Sequence, residues 1–91
     1  TLYGTKANIH NCFIANGAIV EGRVENSIIS RNVKVGRGAI IRNSIILSDT
    51  VVGENAIISH AVIDKYCLIS DGVHVEGVKG APKYIDQGKR L

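Results

Sequence analysis

The sequence repeats itself with a period of 17 residues, and this period restricts the possible fold more than any other feature. Asn26-Ser27-Ile28-Ile29 is followed 17 residues later by Asn43-Ser44-Ile45-Ile46, and the same offset relates Val35-Gly36 to Val52-Gly53. Self-similarity at a fixed period is typical of solenoid proteins, in which each repeat packs only against its neighbours. The period therefore predicts a stack of similar coils.

A finer spacing lies within each period. A small residue stands two positions before an aliphatic one, and these pairs recur every five or six residues: Ser27/Ile29, Val33/Val35, Ala39/Ile41, Ser44/Ile46, Thr50/Val52, Ala56/Ile58, Ala61/Ile63, Cys67/Ile69 and Val73/Val75. Residues i and i+2 of a strand share a face, so each pair points inward from one short strand. An amphipathic helix needs apolar residues at i, i+3, i+4 and i+7, which steps of five and six do not supply. The spacing predicts an all-β chain, a parallel β-helix of hexapeptide repeats with about five coils.

Length and composition limit the class of protein. A chain of 91 residues forms at most one domain, and 45% hydrophobic with only 4% aromatic content suits a narrow bore filled by Ile, Val, Ala and Ser. The net charge of +3 is small and the basic residues are scattered, so we expect no nucleic-acid partner. No membrane span or signal peptide is visible, and Cys12 and Cys67 are predicted to be free thiols, which indicates a cytoplasmic protein.

The period also divides the chain. Residues 1–6 show no repeat register and are predicted to be a severed entry strand. Residues 7–76 are predicted to form the coils, and residues 77–91 leave the period as a capping segment with a last strand at Lys83-Tyr84-Ile85. The first coil is two residues short, and we expect Glu21-Gly22-Arg23 to form a tightened corner. The chain contains no Met, which predicts a segment cut from a longer protein.

Three inward columns and one corner follow from the register. The columns contain Ile14, Ile29, Ile46 and Ile63; Val20, Val35, Val52 and Ile69; and Ile9, Val24, Ile41, Ile58 and Val75. Asn11, Asn26 and Asn43 stack at one corner, where Asn tolerates the left-handed conformation, and His60 is predicted to break this Asn ladder.

The outward positions of one face are apolar where a solvated strand should be polar. We call the four residues there the outer stripe: Phe13, Ile28, Ile45 and Val62. A free-standing chain rarely exposes such a line, so we expect it to be an interface with another domain or subunit, through which the isolated domain self-associates. The alternative is that the bare stripe is tolerated.

Residues that could carry chemistry are few. The three histidines, His10, His60 and His74, occupy unlike repeat positions, which favours corner and surface roles over a zinc site and selects none as a general base. Four basic residues lie close together on one coil and could contact an anion or an effector, although a solvated basic edge is the common outcome: Arg31, Lys34, Arg37 and Arg42. No catalytic residue, metal or cofactor is predicted in this domain.

Several ordered segments resemble one family. Val24-Glu25-Asn26-Ser27-Ile28-Ile29, Val33-Lys34-Val35-Gly36-Arg37-Gly38-Ala39, Asn43-Ser44-Ile45-Ile46, Ala61-Val62-Ile63-Asp64-Lys65 and the shortened coil at Ile19-Val20-Glu21-Gly22 are similar to the C-terminal domain of bacterial ADP-glucose pyrophosphorylase (glucose-1-phosphate adenylyltransferase). The resemblance implies a left-handed β-helix, an exception to the usual right-handed crossover. It also implies a tetrameric enzyme of glycogen synthesis that makes ADP-glucose from ATP and glucose 1-phosphate. Its Gly-rich nucleotide loop and acidic metal ligands belong to an N-terminal catalytic domain, and this sequence contains neither.

This sequence differs from the activatable members of the family at two positions. Ser59 and Asp86 stand where activatable members carry the two Lys residues that hold effector phosphates. This favours a regulatory, GlgD-type subunit over a catalytic one. We therefore expect an assembly and regulatory domain that has no chemistry of its own and contacts its own catalytic domain and partner subunits. The alternatives are an acyl-coenzyme A-dependent hexapeptide acyltransferase, which would trimerise and use one His, and a purely structural β-helix.

Overall fold

Short β-strands account for all regular structure in the part of the chain that the computed structural model describes, namely residues 2–3 and 8–91, with side chains from residue 11 onward. The strands are numbered in chain order and fall into three sheets. The first sheet contains β1 (Leu2–Tyr3), β4 (Ile19–Val20), β7 (Lys34–Val35), β10 (Val51–Val52) and β13 (Leu68–Ile69). The second contains β2 (Asn8–His10), β5 (Arg23–Glu25), β8 (Ile40–Arg42), β11 (Ile57–Ser59) and β14 (His74–Glu76). The third contains β3 (Phe13–Ile14), β6 (Ile28–Ile29), β9 (Ile45–Ile46), β12 (Ala61–Ile63) and β15 (Lys83–Ile85).

Every sheet is parallel and each strand pairs with the strand three places along the chain, so the backbone visits the three sheets in turn. Five strands in each described sheet agree with the predicted five coils of a hexapeptide-repeat β-helix. No register was predicted before residue 7, and of those residues the described Leu2 and Tyr3 form β1, which pairs with β4 through Leu2↔Ile19 and Tyr3↔Val20.

The core is the bore between the three sheets, and its inward columns are confirmed except at Ile9, whose side chain lies outside the described residues. Ile29, Ile46 and Ile63 pair in register on the third sheet and are fully buried. The columns of the first and second sheets are equally aligned, through Val35↔Val52 and Ile41↔Ile58 among others. At about 1.5–3 kcal/mol for each buried aliphatic side chain, these columns supply most of the stabilisation.

Small hydroxyl residues are buried beside the inward aliphatic side chains of the bore. Ser27 Oγ donates to the Glu25 carbonyl (2.7 Å) and accepts from the Ser44 N–H (3.1 Å), and Ser44 repeats the pattern one coil later with Arg42 (2.7 Å) and Ala61 (3.2 Å). Among the described residues, no buried side-chain nitrogen or oxygen lacks a hydrogen-bond partner. Buried hydroxyls cost free energy only when unpaired, so this ladder is compatible with a tightly packed core.

The corner between the second and third sheets keeps one backbone conformation. Asn11, Asn26 and Asn43 have φ of 52°, 49° and 48°, and His60 continues the series at 48°. The prediction that His60 breaks the ladder is therefore wrong for the backbone. His is among the residues enriched in the left-handed region, so it can replace Asn there.

Gly22 marks the shortened coil. The register Val20↔Val35 and Val24↔Ile41 confirms that the segment between β4 and β5 is shorter than its equivalents. A Cβ at Gly22 would lie 2.5 Å from the Ala39 carbonyl oxygen. The corner needs glycine because the next coil approaches closely, and its φ is not among the positive ones.

The C-terminal residues continue the sheets. The predicted strand at residues 83–85 is confirmed as β15, and Ile85 fills the last position of an inward column with 7% exposure. Beyond it, the chain returns to the first sheet, where Leu68 N–H donates to the Lys89 carbonyl (2.9 Å) and Leu91 N–H donates to the Leu68 carbonyl (2.8 Å).

Candidate assembly surface

The outer stripe lies in register along the third sheet. Phe13 pairs with Ile28, Ile28 with Ile45, and Ile45 with Val62. Their exposure is 66%, 44% and 37% for the first three, and Val62 is half-buried. Because adjacent strands lie about 4.8 Å apart, the four side chains form a continuous apolar line roughly 14 Å long on the outside of the bore.

Tyr84 extends this line by one strand. It pairs with Val62 and is 56% exposed, while its neighbour Ile85 points into the bore. Residues 77–82 separate β14 from β15 and shift the offset from the usual 17, so the 17-residue period did not align Tyr84 with the outer stripe. The alternation of inward and outward residues in the predicted strand was the signal that could have identified it.

All aromatic side chains that the structure describes lie on the surface. Phe13, Tyr66 and Tyr84 are 66%, 59% and 56% exposed, and two of the three stand at opposite ends of the third sheet. The bore is lined by Ile, Val, Ala, Ser and Thr, so aromatic rings are directed outward. Exposed rings of this kind are enriched at protein interfaces.

Asp64 fixes the position of the Tyr84 ring. The Tyr84 hydroxyl donates to Asp64 Oδ2, and the Lys65 N–H donates to Asp64 Oδ1 at 2.7 Å. The hydrogen bond from Tyr84, followed by that from Lys65, lowers the pKa of Asp64. The same bond to Asp64 raises the pKa of Tyr84, because losing the phenolic proton would abolish it.

The other two outer faces carry charge. On the second sheet, Glu25 Oε2 lies 2.8 Å from Arg23 Nε and its Oε1 lies 3.5 Å from Arg42 Nε, whereas Lys34 projects from the centre of the first sheet. The outer stripe contains no charged residue. The outer stripe can therefore be desolvated by a partner at less cost than the charged columns of the other two faces, although Lys83 is exposed on β15 of the same sheet and the Asp64 carboxylate accepts a hydrogen bond from Tyr84.

The four basic residues of the predicted anion contact lie on different sides of one coil. Arg31 is at the corner that follows β6, Lys34 is on the first sheet, Arg37 is at the corner that follows β7, and Arg42 is on the second sheet near Glu25. One coil runs around all three sides, so the structure does not bring the four into a single site. Anion binding by any of them stays a prediction.

The histidines are also dispersed. His60 is half-buried at a corner, and His74 lies on β14 with its Nδ1 3.6 Å from Glu76 Oε2. His10 lies on β2 at the opposite end of the second sheet, and its side chain is outside the described residues. Among the side chains that are described, no group of three His, Cys, Asp or Glu is placed to hold a metal ion.

Cys12 and Cys67 form no disulfide, as predicted. Cys67 is buried and its Sγ donates to the Asp86 carbonyl at 3.1 Å, and half-buried Cys12 donates to the Val24 carbonyl at 3.2 Å.

The two positions at which the resembling family carries effector-binding Lys belong to different sheets: Ser59 ends β11 of the second sheet, and Asp86 follows β15 of the third. Within residues 2–3 and 8–91, the chain forms no helix long and apolar enough to cross a membrane.

Comparison with known proteins gives one family and several relatives. The model of a family described as GlmU-like, C-terminal hexapeptide matches residues 2–81. The chain is 49% identical over 41 residues to the glycogen biosynthesis protein GlgD of Geobacillus stearothermophilus, a match that covers 45% of this chain and 12% of that protein. It is 43% identical over 42 residues to GlgD of Bacillus subtilis (strain 168), covering 46% and 12%. It is 53% identical over 34 residues to a glucose-1-phosphate adenylyltransferase of Mycoplasma mobile, covering 37% and 9%.

Proposed function

The chain belongs to the GlmU-like, C-terminal hexapeptide family, and from this premise we propose that it is the assembly and regulatory domain of a protein of glycogen synthesis. The protein would be a subunit related to GlgD and to glucose-1-phosphate adenylyltransferase, with the nucleotidyl transfer carried out by another domain. Each match covers less than half of this chain and about a tenth of the relative, so the proposal extends from a shared domain to the whole protein.

The observation that carries the assembly role is the outer stripe. Phe13, Ile28 and Ile45 are exposed in register on a face that bears no charge in its central column. Their inward neighbours, such as Ile29 and Ile46, already fill the bore, so core packing does not require apolar residues on the outside. A contiguous exposed apolar surface is typical of contact with another protein.

The regulatory part of the proposal concerns effector binding. Ser59 and Asp86 replace the two Lys of activatable members, and a hydroxyl and a carboxylate cannot supply the positive charge that a phosphate needs. Two of the relatives carry the name GlgD, which agrees with a GlgD-type subunit. We infer a subunit that modulates a catalytic partner and responds only weakly to phosphorylated effectors.

The test is to express the reading frame that contains this segment and to assay ADP-glucose formation from ATP and glucose 1-phosphate, alone and with a catalytic glucose-1-phosphate adenylyltransferase subunit. We expect a nucleotidyltransferase-like domain upstream and a change in the rate of ADP-glucose formation when the two proteins are mixed. We also expect this change in rate to be lost in the variant that combines Ile28→Lys with Ile45→Lys. A frame without such a domain, or binding of coenzyme A abolished by one His→Ala substitution, would contradict it and favour an acyltransferase.

A further inference from the structure

The sequence contains one Asn-Gly pair, Asn16-Gly17, and this pair lies in the turn between β3 and β4. Both residues are exposed. Gly17 has a φ of 81°, and a Cβ at this position would overlap Oδ1 of Asn32 in the next coil. Both conditions disfavour any residue with a side chain, so the coil requires glycine directly after Asn16.

The five other asparagines whose side chains the structure describes are held differently. They lie at corners with φ between 48° and 59°, and the residue that follows each of them is buried or half-buried: Asn11, Asn26, Asn32, Asn43 and Asn55. After Asn43, the Ser44 N–H is also bound to Ser27 Oγ at 3.1 Å. Asn16 is not among the residues with positive φ, and the residue that follows it is exposed.

The backbone hydrogen bond across the turn that contains Asn16 is long. Ala18 N–H donates to the Ala15 carbonyl at 3.4 Å, compared with the usual ~2.9–3.0 Å. The strands beside the turn are held more firmly, since the Ala15 N–H and the Ile19 N–H each donate to the next coil at 2.9 Å. Rotation about the Cα–C bond of Asn16 therefore strains one weak bond and leaves the pairing of β3 and β4 in place.

We propose that Asn16 is a modification site at which asparagine converts spontaneously to aspartate and isoaspartate. The Gly17 backbone nitrogen loses its proton to a base in the solvent and attacks Cγ of Asn16. A five-membered succinimide ring closes, and the side-chain nitrogen leaves as ammonia. Glycine favours this step because it has no side chain to shield its nitrogen. Water then opens the ring at either carbonyl, so the net change is addition of water and loss of ammonia, with no oxidation or reduction.

The products place a carboxylate beside a basic residue. Asn16 lines an open depression of about 590 Å³ together with Phe13, Ile14, Ala15 and Arg31. One added negative charge reduces the net charge of the chain from +3 to +2. The new carboxylate shares the depression with Arg31, so it offsets the positive charge of one residue of the predicted anion contact. This inference is independent of the proposed function, because it requires only the folded turn.

Peptide mapping of the folded chain after incubation at mildly alkaline pH tests the proposal. Mass spectrometry locates the deamidated residue, and isoaspartyl methyltransferase with labelled S-adenosylmethionine detects isoaspartate. We expect the modification at Asn16 while Asn26 and Asn43, each followed by a small serine, stay intact over the same period. Asn16→Gln is the matched control, since it keeps the amide but would have to close a less favourable six-membered ring. Isoelectric focusing should show an acidic band that grows with time in the parent and is lost in Asn16→Gln.

The same incubation in guanidinium chloride separates the effect of the turn from that of the Asn-Gly sequence. If Asn16 stays intact in the folded chain for a period that modifies it in the unfolded chain, the turn protects it and the proposal is wrong. Equal modification of Asn16, Asn26 and Asn43 in the folded chain would also overturn the proposal, because no site would then be selected. An acidic band that persists in Asn16→Gln would place the charge change elsewhere.

Discussion

Val51 and Val52 offer a direct test of the strand register because they are identical residues, adjacent on β10, that face opposite sides of the sheet. Val52 is 1% exposed and stacks between Val35 and Ile69, whereas Val51 is 38% exposed and lies between Lys34 and Leu68. Truncation to Ala removes two methyl groups in each case. Because the residue type and the strand are the same, the difference between the two substitutions reports the burial and packing of each face.

The expected magnitudes follow from burial. Val52→Ala loses about 0.8 kcal/mol for each buried carbon and leaves a closed cavity, for a total of about 2–3 kcal/mol. Val51→Ala removes partly solvated surface and leaves no closed cavity, so its cost is about 1 kcal/mol or less. Urea unfolding followed by circular dichroism measures both, provided that the m-value is unchanged. Equal costs, or a larger cost at Val51, would refute the register, because a slip of one residue exchanges the two faces.

Three further predictions concern corners and the Tyr84 hydrogen bond. Gly22→Ala places a Cβ 2.5 Å from the Ala39 carbonyl oxygen, so thermal unfolding should show a loss of about 1–3 kcal/mol, and an unchanged midpoint would contradict the close approach. Tyr66 has a φ of 60°, and its replacement by Asn should raise stability by roughly 1 kcal/mol in urea, since Asn tolerates this conformation better; a loss would show that the ring makes a compensating contact. The carboxyl of Asp64 should titrate by NMR below the ~3.9 of an unperturbed Asp, and Tyr84→Phe should raise its pKa. Because folding lowers the pKa of Asp64, its contribution to stability is present at pH values above the pKa in the unfolded chain and is lost as the pH falls through the pKa in the folded chain. An identical titration of Asp64 in Tyr84→Phe would exclude the Tyr84 hydrogen bond as the cause of the lowered pKa.

The sequence was sufficient to predict the strand register because the same pattern of inward residues recurs in every coil. Small and branched residues two positions apart identify the inward face, and the 17-residue offset identifies which strands stack, so columns such as Ile29, Ile46 and Ile63 follow directly. Local chemistry and period agree at each of these positions, and such agreement makes a prediction reliable.

Other features depended on information that the repeat does not contain. Residues 77–82 interrupt the period before β15, which concealed that Tyr84 extends the outer stripe. His60 differs from Asn in type, yet the backbone of the corner is set by neighbouring coils and retains its conformation. Arg31 and Arg42 are close in sequence but separated around the bore, since eleven residues of a coil pass over two corners. Linear proximity predicts a shared site well on a helix or a hairpin and poorly on a three-sided coil.

The claim that the third sheet is an assembly surface is tested most directly by sedimentation equilibrium of three proteins: the parent chain, Ile28→Lys combined with Ile45→Lys, and Val51→Lys. Ile28 and Ile45 point away from the bore, so their replacement leaves the core intact, and Val51→Lys adds a charge at matched exposure on the first sheet. We predict a dimeric parent, a dimeric Val51→Lys variant, and a monomeric double variant, because association would desolvate the new charges of the double variant. A monomeric parent, or equal dissociation of all variants, would contradict it.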